Sequence, residues 1–315
     1  MKAIVIKNAG GVENLVDTQI EIPTVSEGEV LIKVKAISIN PVDYKARESE
    51  GMLNAVLGPE KPWILGWDIS GKVQALGENV TGYKVGDSVF GMINFPGHGK
   101  AYAEYVVAPI THIAKKPENV TDEEAAAATL AALTAWQAIV TNAKIKKGDR
   151  VLIHGAAGGV GHYAVQFAKH LGAYVIGTAS ARNREFVLGL GADEFIDYQT
   201  QSFENEVSDL DFVFDLFGDA IFDKSVQTVK KGGQIIALLD NLTEEQVAYS
   251  KSLGITSYRI IVHSNGEDME KIATLLENGI VKSHISQTFS FDAMREAHLQ
   301  VATGRTRGKV VVVMD

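Results

Sequence analysis

The chain has 315 residues, 46% of them hydrophobic and 22% charged, which is globular composition and enough length for two domains. A formal net charge of -9 without a basic block argues against nucleic acid or an anionic membrane as a partner. The absence of cysteine excludes disulfides and thiolate chemistry and fits a reducing compartment. Met1–Lys7 is too short and too charged for a signal sequence, and no apolar run approaches the ~18 residues of a membrane span, so a soluble cytoplasmic protein is expected.

The first third reads mainly as β. Lys2–Lys7 is a short strand, and Glu29–Ile39 alternates and is rich in β-branched residues. Ile69–Ala75, Asp87–Met92 and Ala101–Val107 follow, separated by glycine-containing turns, which suggests a small barrel or folded sheet. Glu48–Lys61 and Asn94–Lys100 lack periodicity and read as loops, where substrate contacts usually lie. The character changes at Thr121-Asp122-Glu123-Glu124, a capping box that opens an alanine-rich helix to about Val140. Beyond Arg150, strands at Val151–His154, Tyr174–Thr178, Glu194–Ile196, Phe212–Asp215 and Gln234–Leu238 alternate with helices at Gly159–Leu171, Arg182–Leu190 and Ile221–Lys230. That alternation predicts an α/β fold with a doubly wound parallel sheet. Helices over Glu244–Leu253, Glu267–Asn278 and Phe291–Thr303, and strands over Ser257–Val262 and Gly308–Met314, complete the chain.

The strand Val151–His154 runs into Gly155-Ala156-Ala157-Gly158-Gly159-Val160-Gly161 and then into a helix. Free backbone N–H groups and the positive end of the helix dipole make such a turn an anion site. Ala156 stands where the dinucleotide fingerprint has its first glycine; Gly158 lets the backbone approach a pyrophosphate, and Gly161 lets the helix pack on the strand. Gly158, Gly159 and Gly161 are therefore candidate cofactor residues. The bland alternative, a plain glycine-rich turn, is disfavoured by the strand before it and the helix after it.

The tip of the next strand selects the cofactor. An NAD site places an acid there for the ribose 2′-hydroxyl, whereas Thr178-Ala179-Ser180-Ala181-Arg182-Asn183-Arg184 has none before Glu185 and carries two guanidinium groups. Arginine pairs with a 2′-phosphate, and a cation is poorly placed at a helix start unless an anion comes near. Thr178, Ser180, Arg182 and Arg184 are thus expected to favour NADPH. Phe217 and Leu238-Leu239 follow the fourth and fifth strands, at the strand ends where ligands bind such sheets, though all three would serve equally as core. His154 reads as a hydrogen-bonded core residue, His162 and His170 as helix-surface residues, and His98 as a turn residue.

Several motifs together resemble the medium-chain dehydrogenase/reductase superfamily, in its zinc-independent quinone oxidoreductase and enone reductase branch. They are Asn40-Pro41-Val42-Asp43-Tyr44-Lys45, Gly66-Trp67-Asp68-Ile69-Ser70-Gly71-Lys72-Val73, Val85-Gly86-Asp87-Ser88-Val89, Ala101-Tyr102-Ala103-Glu104-Tyr105, Leu133-Thr134-Ala135-Trp136, the glycine turn, Leu190-Gly191-Ala192-Asp193, Ile196-Asp197-Tyr198 and Gly304-Arg305-Thr306-Arg307-Gly308-Lys309. The resemblance implies a GroES-like catalytic domain in residues 1–118, a Rossmann NADPH-binding domain in 119–260, and a return to the catalytic domain in 261–315. It also implies a homodimer through the edge strand near Ser257–Val262.

Zinc-dependent relatives carry a cysteine near Asp43 and His-Glu in place of Trp67-Asp68, and a catalytic zinc needs about three protein ligands. Asp43, Trp67 and Asp68 do not supply them, so no metal is expected. The metal-free acceptors are quinones and C=C bonds conjugated to a carbonyl, which become anions on taking hydride and need a cation or a proton donor. The resemblance implies Lys45 first and Tyr44 second for that role. It also implies Asn40 and Thr134 near the nicotinamide, Val160 behind its ring, and Tyr198 near the 2′-phosphate. An NADPH-binding structural or regulatory protein of the same fold is the alternative.

Overall fold

A computed structural model describes residues 1–239 and 241–314; Asp240 and Asp315, within and at the end of the expected domains, lie outside the described residues. The chain forms two compact units, Met1–Leu133 with Val262–Asp315, and Thr134–Ile261.

The first unit begins with β1 (Lys2–Ile6), β2 (Leu15–Gln19) and β3 (Glu29–Ile39), followed by α1 (Pro41–Glu48) and α2 (Glu50–Leu57). Next come β4 (Asp68–Leu76), β5 (Ser88–Met92), β6 (Tyr105–Pro109), β7 (Ile113–Lys115), α3 (Asp122–Ala127) and α4 (Leu130–Trp136), whose residues from Thr134 onward belong to the second unit. Residues 48–61 are thus not a loop throughout. The Ser49 hydroxyl accepts the Met52 N–H and starts α2, which buries Leu53 and Leu57. The capping box at Thr121 forms, with Glu124 N–H donating to Thr121 and Thr121 N–H to Glu124. The alanine helix then breaks earlier than expected, where the Thr129 hydroxyl donates to Ala126 O. It resumes as α4 and ends in a π turn, Gln137–Asn142.

The second unit contains β8 (Arg150–Ile153), α5 (Gly161–His170), β9 (Tyr174–Ala179), α6 (Arg184–Gly189), β10 (Glu194–Asp197) and α7 (Phe203–Glu206). It continues with β11 (Leu210–Asp215), α8 (Asp219–Thr228), β12 (Val229–Ala237), α9 (Glu244–Ser252) and β13 (Thr256–Arg259). Its six strands are all parallel in the order β10-β9-β8-β11-β12-β13, the dinucleotide-fold order. Leu152, Ile176, Val213, Phe222 and Ile235 are among the residues that form its hydrophobic core.

The chain then returns to the first unit with α10 (Gly266–Glu277), β14 (Ile285–Ser290), α11 (Met294–Ala302) and β15 (Lys309–Val313). The apolar last strand pairs antiparallel with β3, Val310 opposite Ile39, inside a seven-stranded sheet. Alanine side chains let α3 lie close on this sheet: Ala126 and Ala127 pack with Ala36 and Val311. For that reason α3 belongs to the first unit, which runs on to Leu133 beyond the expected boundary at residue 118. No helix among the described residues is long and apolar enough to cross a membrane.

Candidate active site

In the second unit, β8 ends at the point where strand order reverses, and the glycine turn lies there. Gly155 adopts φ +61°, a left-handed conformation that costs glycine nothing, so it makes the sharp turn. Gly158 N–H donates to Gly155 O at 2.8 Å and closes it. A Cβ on Gly161 would lie 2.1 Å from Gly155 O, so only glycine lets α5 start this close to the strand. A Cβ on Gly158 would stand 3.2 Å from the same oxygen and fill the cradle. Val160 is the residue before α5, half-buried like Gly158 and Gly159. These features fit a dinucleotide pyrophosphate.

The neighbouring strand ends gather the other predicted residues. Tyr198 N–H donates to Ala179 O, which sets the exposed Tyr198 beside the tip of β9. Ser180 begins a 3-10 turn, Ala181–Asn183, and accepts the Asn183 amide; α6 therefore starts at Arg184, two residues later than expected. Arg182 and Arg184 are both exposed, and the Arg184 guanidinium lies 5.4 Å from the Phe195 ring centroid. Phe217 is 50% exposed and lies against the turn, its Cζ only 3.2 Å from a Cβ placed on Gly155. Its loop is shaped by Asp215, whose Oδ1 accepts the Phe217 and Gly218 N–H groups. Sequence reading passed over Asp215, although Asp two residues before the turn is an Asx-turn signal. Leu238 is half-buried and Leu239 exposed after β12, so neither is core.

Two expected residues turn inward. Thr178 is buried, and its hydroxyl meets His154 Nδ1 at 3.1 Å. Thr134 is buried on α4. His154 is a core histidine, bonded also to Ser225 and pushed down to about 3 by burial. His170 is exposed, but His162 is fully buried rather than on the surface, with Nδ1 2.9 Å from Gly158 O.

In the first unit, Asn40 precedes α1, and Pro41 opens the helix with its φ already helical. Asn40 N–H donates to Asp43 Oδ2 at 2.7 Å, and its Nδ2 donates to Asp68 Oδ2 at 2.7 Å. Asp43 and Arg47 take the buried face of α1, leaving Tyr44 half-buried and Lys45 exposed. Burial pushes Asp43 up to about 7, against the pull of the Asn40 N–H. Asp68 is raised by burial, and Lys309 Nζ, 3.9 Å away, is lowered by burial. The three positions compared with zinc ligands are engaged otherwise: Asp43 and Asp68 with Asn40, and the Trp67 indole N–H with Gly97 O. Such a donor set does not fit zinc. Sequence reading missed Lys309, because its partners lie near residue 40.

Residues 26–118 match the alcohol dehydrogenase GroES-like domain model, and residues 190–312 the zinc-binding dehydrogenase model. The chain is 36% identical to the 2-methylene-furan-3-one reductase of Solanum lycopersicum, covering 99% of this chain and 79% of that one. It is 34% identical to the chloroplastic NADPH-dependent alkenal/one oxidoreductase of Arabidopsis thaliana over the same shares. The structure of the quinone oxidoreductase from Coxiella burnetii superposes with a TM-score of 0.93 at 35% identity, covering 100% of this chain and 99% of that one. The chain belongs to the zinc-independent quinone oxidoreductase branch of the medium-chain dehydrogenase/reductase superfamily. This oxidoreductase combines a GroES-like domain with a Rossmann-type domain, and its family uses a nicotinamide dinucleotide.

Proposed function

We propose that the protein is an NADPH-dependent, zinc-independent reductase that transfers hydride to quinones or to the C=C bond of α,β-unsaturated carbonyls. The observation that carries the reading is the glycine turn at the strand-order reversal, beside a strand tip with no acid and two exposed arginines. The relatives named for alkenal/one, furanone and quinone reduction support the substrate class.

Bound NADPH would supply the hydride. The turn at Gly155–Gly161 would hold its pyrophosphate, and Arg182, Arg184 and Tyr198 its 2′-phosphate. Phe217 and Leu239 present apolar surface at the strand ends. An acceptor that takes hydride gains negative charge at oxygen. Lys45, on the exposed side of α1, would balance that charge, with Tyr44 as the alternative proton donor. Asn40 serves at the start of that helix. A purely structural NADPH binder is disfavoured by the relatives, which are named as enzymes.

The protein is proposed to work in the cytoplasm, as a homodimer that pairs along the edge strand β13. An NADPH-oxidation screen of quinones against enones and enals tests the function. Turnover of either class is expected; NADPH binding without turnover of any member would favour the structural alternative.

A further inference from the structure

We propose that Lys309 is a positioning residue: with Asp68 it fixes Asn40, and through Asn40 the start of α1, the helix that carries Tyr44 and Lys45. The proposal rests on the assignment of Tyr44 and Lys45 to the reaction.

Lys309 is 3% exposed and Asp68 fully buried. The Lys309 ammonium donates to Ile39 O at 3.2 Å and to Asn40 Oδ1, and lies 3.9 Å from Asp68 Oδ2. An ammonium has three N–H bonds. Two of them meet protein oxygens, Ile39 O and Asn40 Oδ1, and the third side of the ammonium faces the Asp68 carboxylate, so the buried group is turned into the protein. Its role is therefore geometric.

Asn40 is held at every polar atom. Oδ1 accepts from Lys309, while Nδ2 donates to Asp68 Oδ2 at 2.7 Å and approaches Ser38 O at 3.5 Å. Its backbone N–H donates to Asp43 within α1. The second Asp68 oxygen accepts the Leu130 N–H at 3.0 Å. One buried cation thus ties together the end of β3 and the starts of α1, β4, α4 and β15.

A buried ion pair is a weak source of stability, since an apolar pair of similar volume often serves as well or better. What this pair does provide is a single orientation of the Asn40 amide, oxygen toward Lys309 and nitrogen toward Asp68. Pro41 follows directly and has a fixed φ, so the orientation of Asn40 is transmitted to the first turn of α1. Tyr44 and Lys45 lie four and five residues beyond Asn40, and small misplacements of reacting groups are costly in rate.

The test compares wild type, Lys309→Met and the doubly neutral Asp68→Asn/Lys309→Met, the last removing both members of the buried pair if the single variant fails to fold. Thermal midpoint, NADPH affinity by fluorescence, kcat and KM are read for each. The double variant should fold and bind NADPH within about threefold of wild type, with kcat lowered by roughly tenfold or more. Adding Lys45→Ala to it should cost less than Lys45→Ala costs alone, because both act through the same helix. Wild-type kcat in the double variant, or a fully additive loss with Lys45→Ala, overturns the proposal. If wild type turns over no quinone or enone, the assigned reaction is refuted, and a crystal structure of the double variant decides on Lys309. A displaced first turn of α1 supports the clamp, and an unmoved one overturns it.

Discussion

Ala156 is buried against Gly177: a Cβ on Gly177 would lie 2.9 Å from the Ala156 Cβ and 2.6 Å from Val187 Cγ1. The methyl group that departs from the usual fingerprint is thus accommodated by a missing one on the adjacent strand. Meanwhile Gly155, at φ +61°, performs the turn one residue earlier. Ala156→Gly should therefore leave NADPH affinity within about threefold, whereas Gly155→Ala should weaken it about tenfold through left-handed strain of roughly 1–2 kcal/mol. Fluorescence titration checks both, and the reverse ranking would contradict the turn's assignment.

The arginines beyond β9 make a second prediction. Pairing of a guanidinium with phosphate is worth roughly 1.5–3 kcal/mol, so Arg182→Ala/Arg184→Ala should weaken NADPH by at least about tenfold. NADH, which lacks the 2′-phosphate, should be nearly unaffected. Equal losses for the two cofactors would remove these residues from the phosphate site.

His154 gives a pH signature. Its folded value of about 3 lies below the ordinary 6.5 because burial disfavours the charged ring. Between those values the unfolded chain takes up a proton that the folded chain refuses, so the neutral ring's contribution is present above pH 6.5 and is lost as pH falls toward 3. His298, also pushed down to about 3 by burial, acts in the same direction, while Asp43, raised to about 7, opposes them. The clean readout is consequently a difference. His154→Gln should be less stable than wild type at pH 7.5 by about 1–3 kcal/mol, from its two hydrogen bonds. That deficit should shrink by about 1.4 kcal/mol per unit below pH 6.5. Denaturant unfolding across pH measures it, and a deficit independent of pH would show that His154 titrates normally.

Lys45→Ala should lower kcat by roughly tenfold to a hundredfold while NADPH affinity changes little, as expected for a group acting on the developing charge. Steady-state kinetics with a titrated cofactor separates the two. Normal turnover would take Lys45 out of the mechanism and leave Tyr44.

Local pattern carried much of the fold. Strand alternation located Glu29–Ile39, and the Thr121 capping box located the start of α3. The cofactor turn was legible because its glycines do local work on a strand-turn-helix unit. Helix α2 was hidden because Gly51 and Asn54 dilute a short segment with only two buried leucines. His162 was misplaced because α5 is buried on almost every side, which an amphipathic reading cannot anticipate. The Lys309–Asn40 contact joins residues 269 positions apart, and no local periodicity encodes such a pair.

Isotope transfer reads direct hydride reduction at the product carbon. The protein is supplied with NADPH carrying deuterium at the transferable C4 position and with an α,β-unsaturated ketone, and the product is analysed by mass spectrometry. Deuterium is expected on the carbon β to the carbonyl. A reduced product without deuterium, or no product from any enone or quinone, would contradict it.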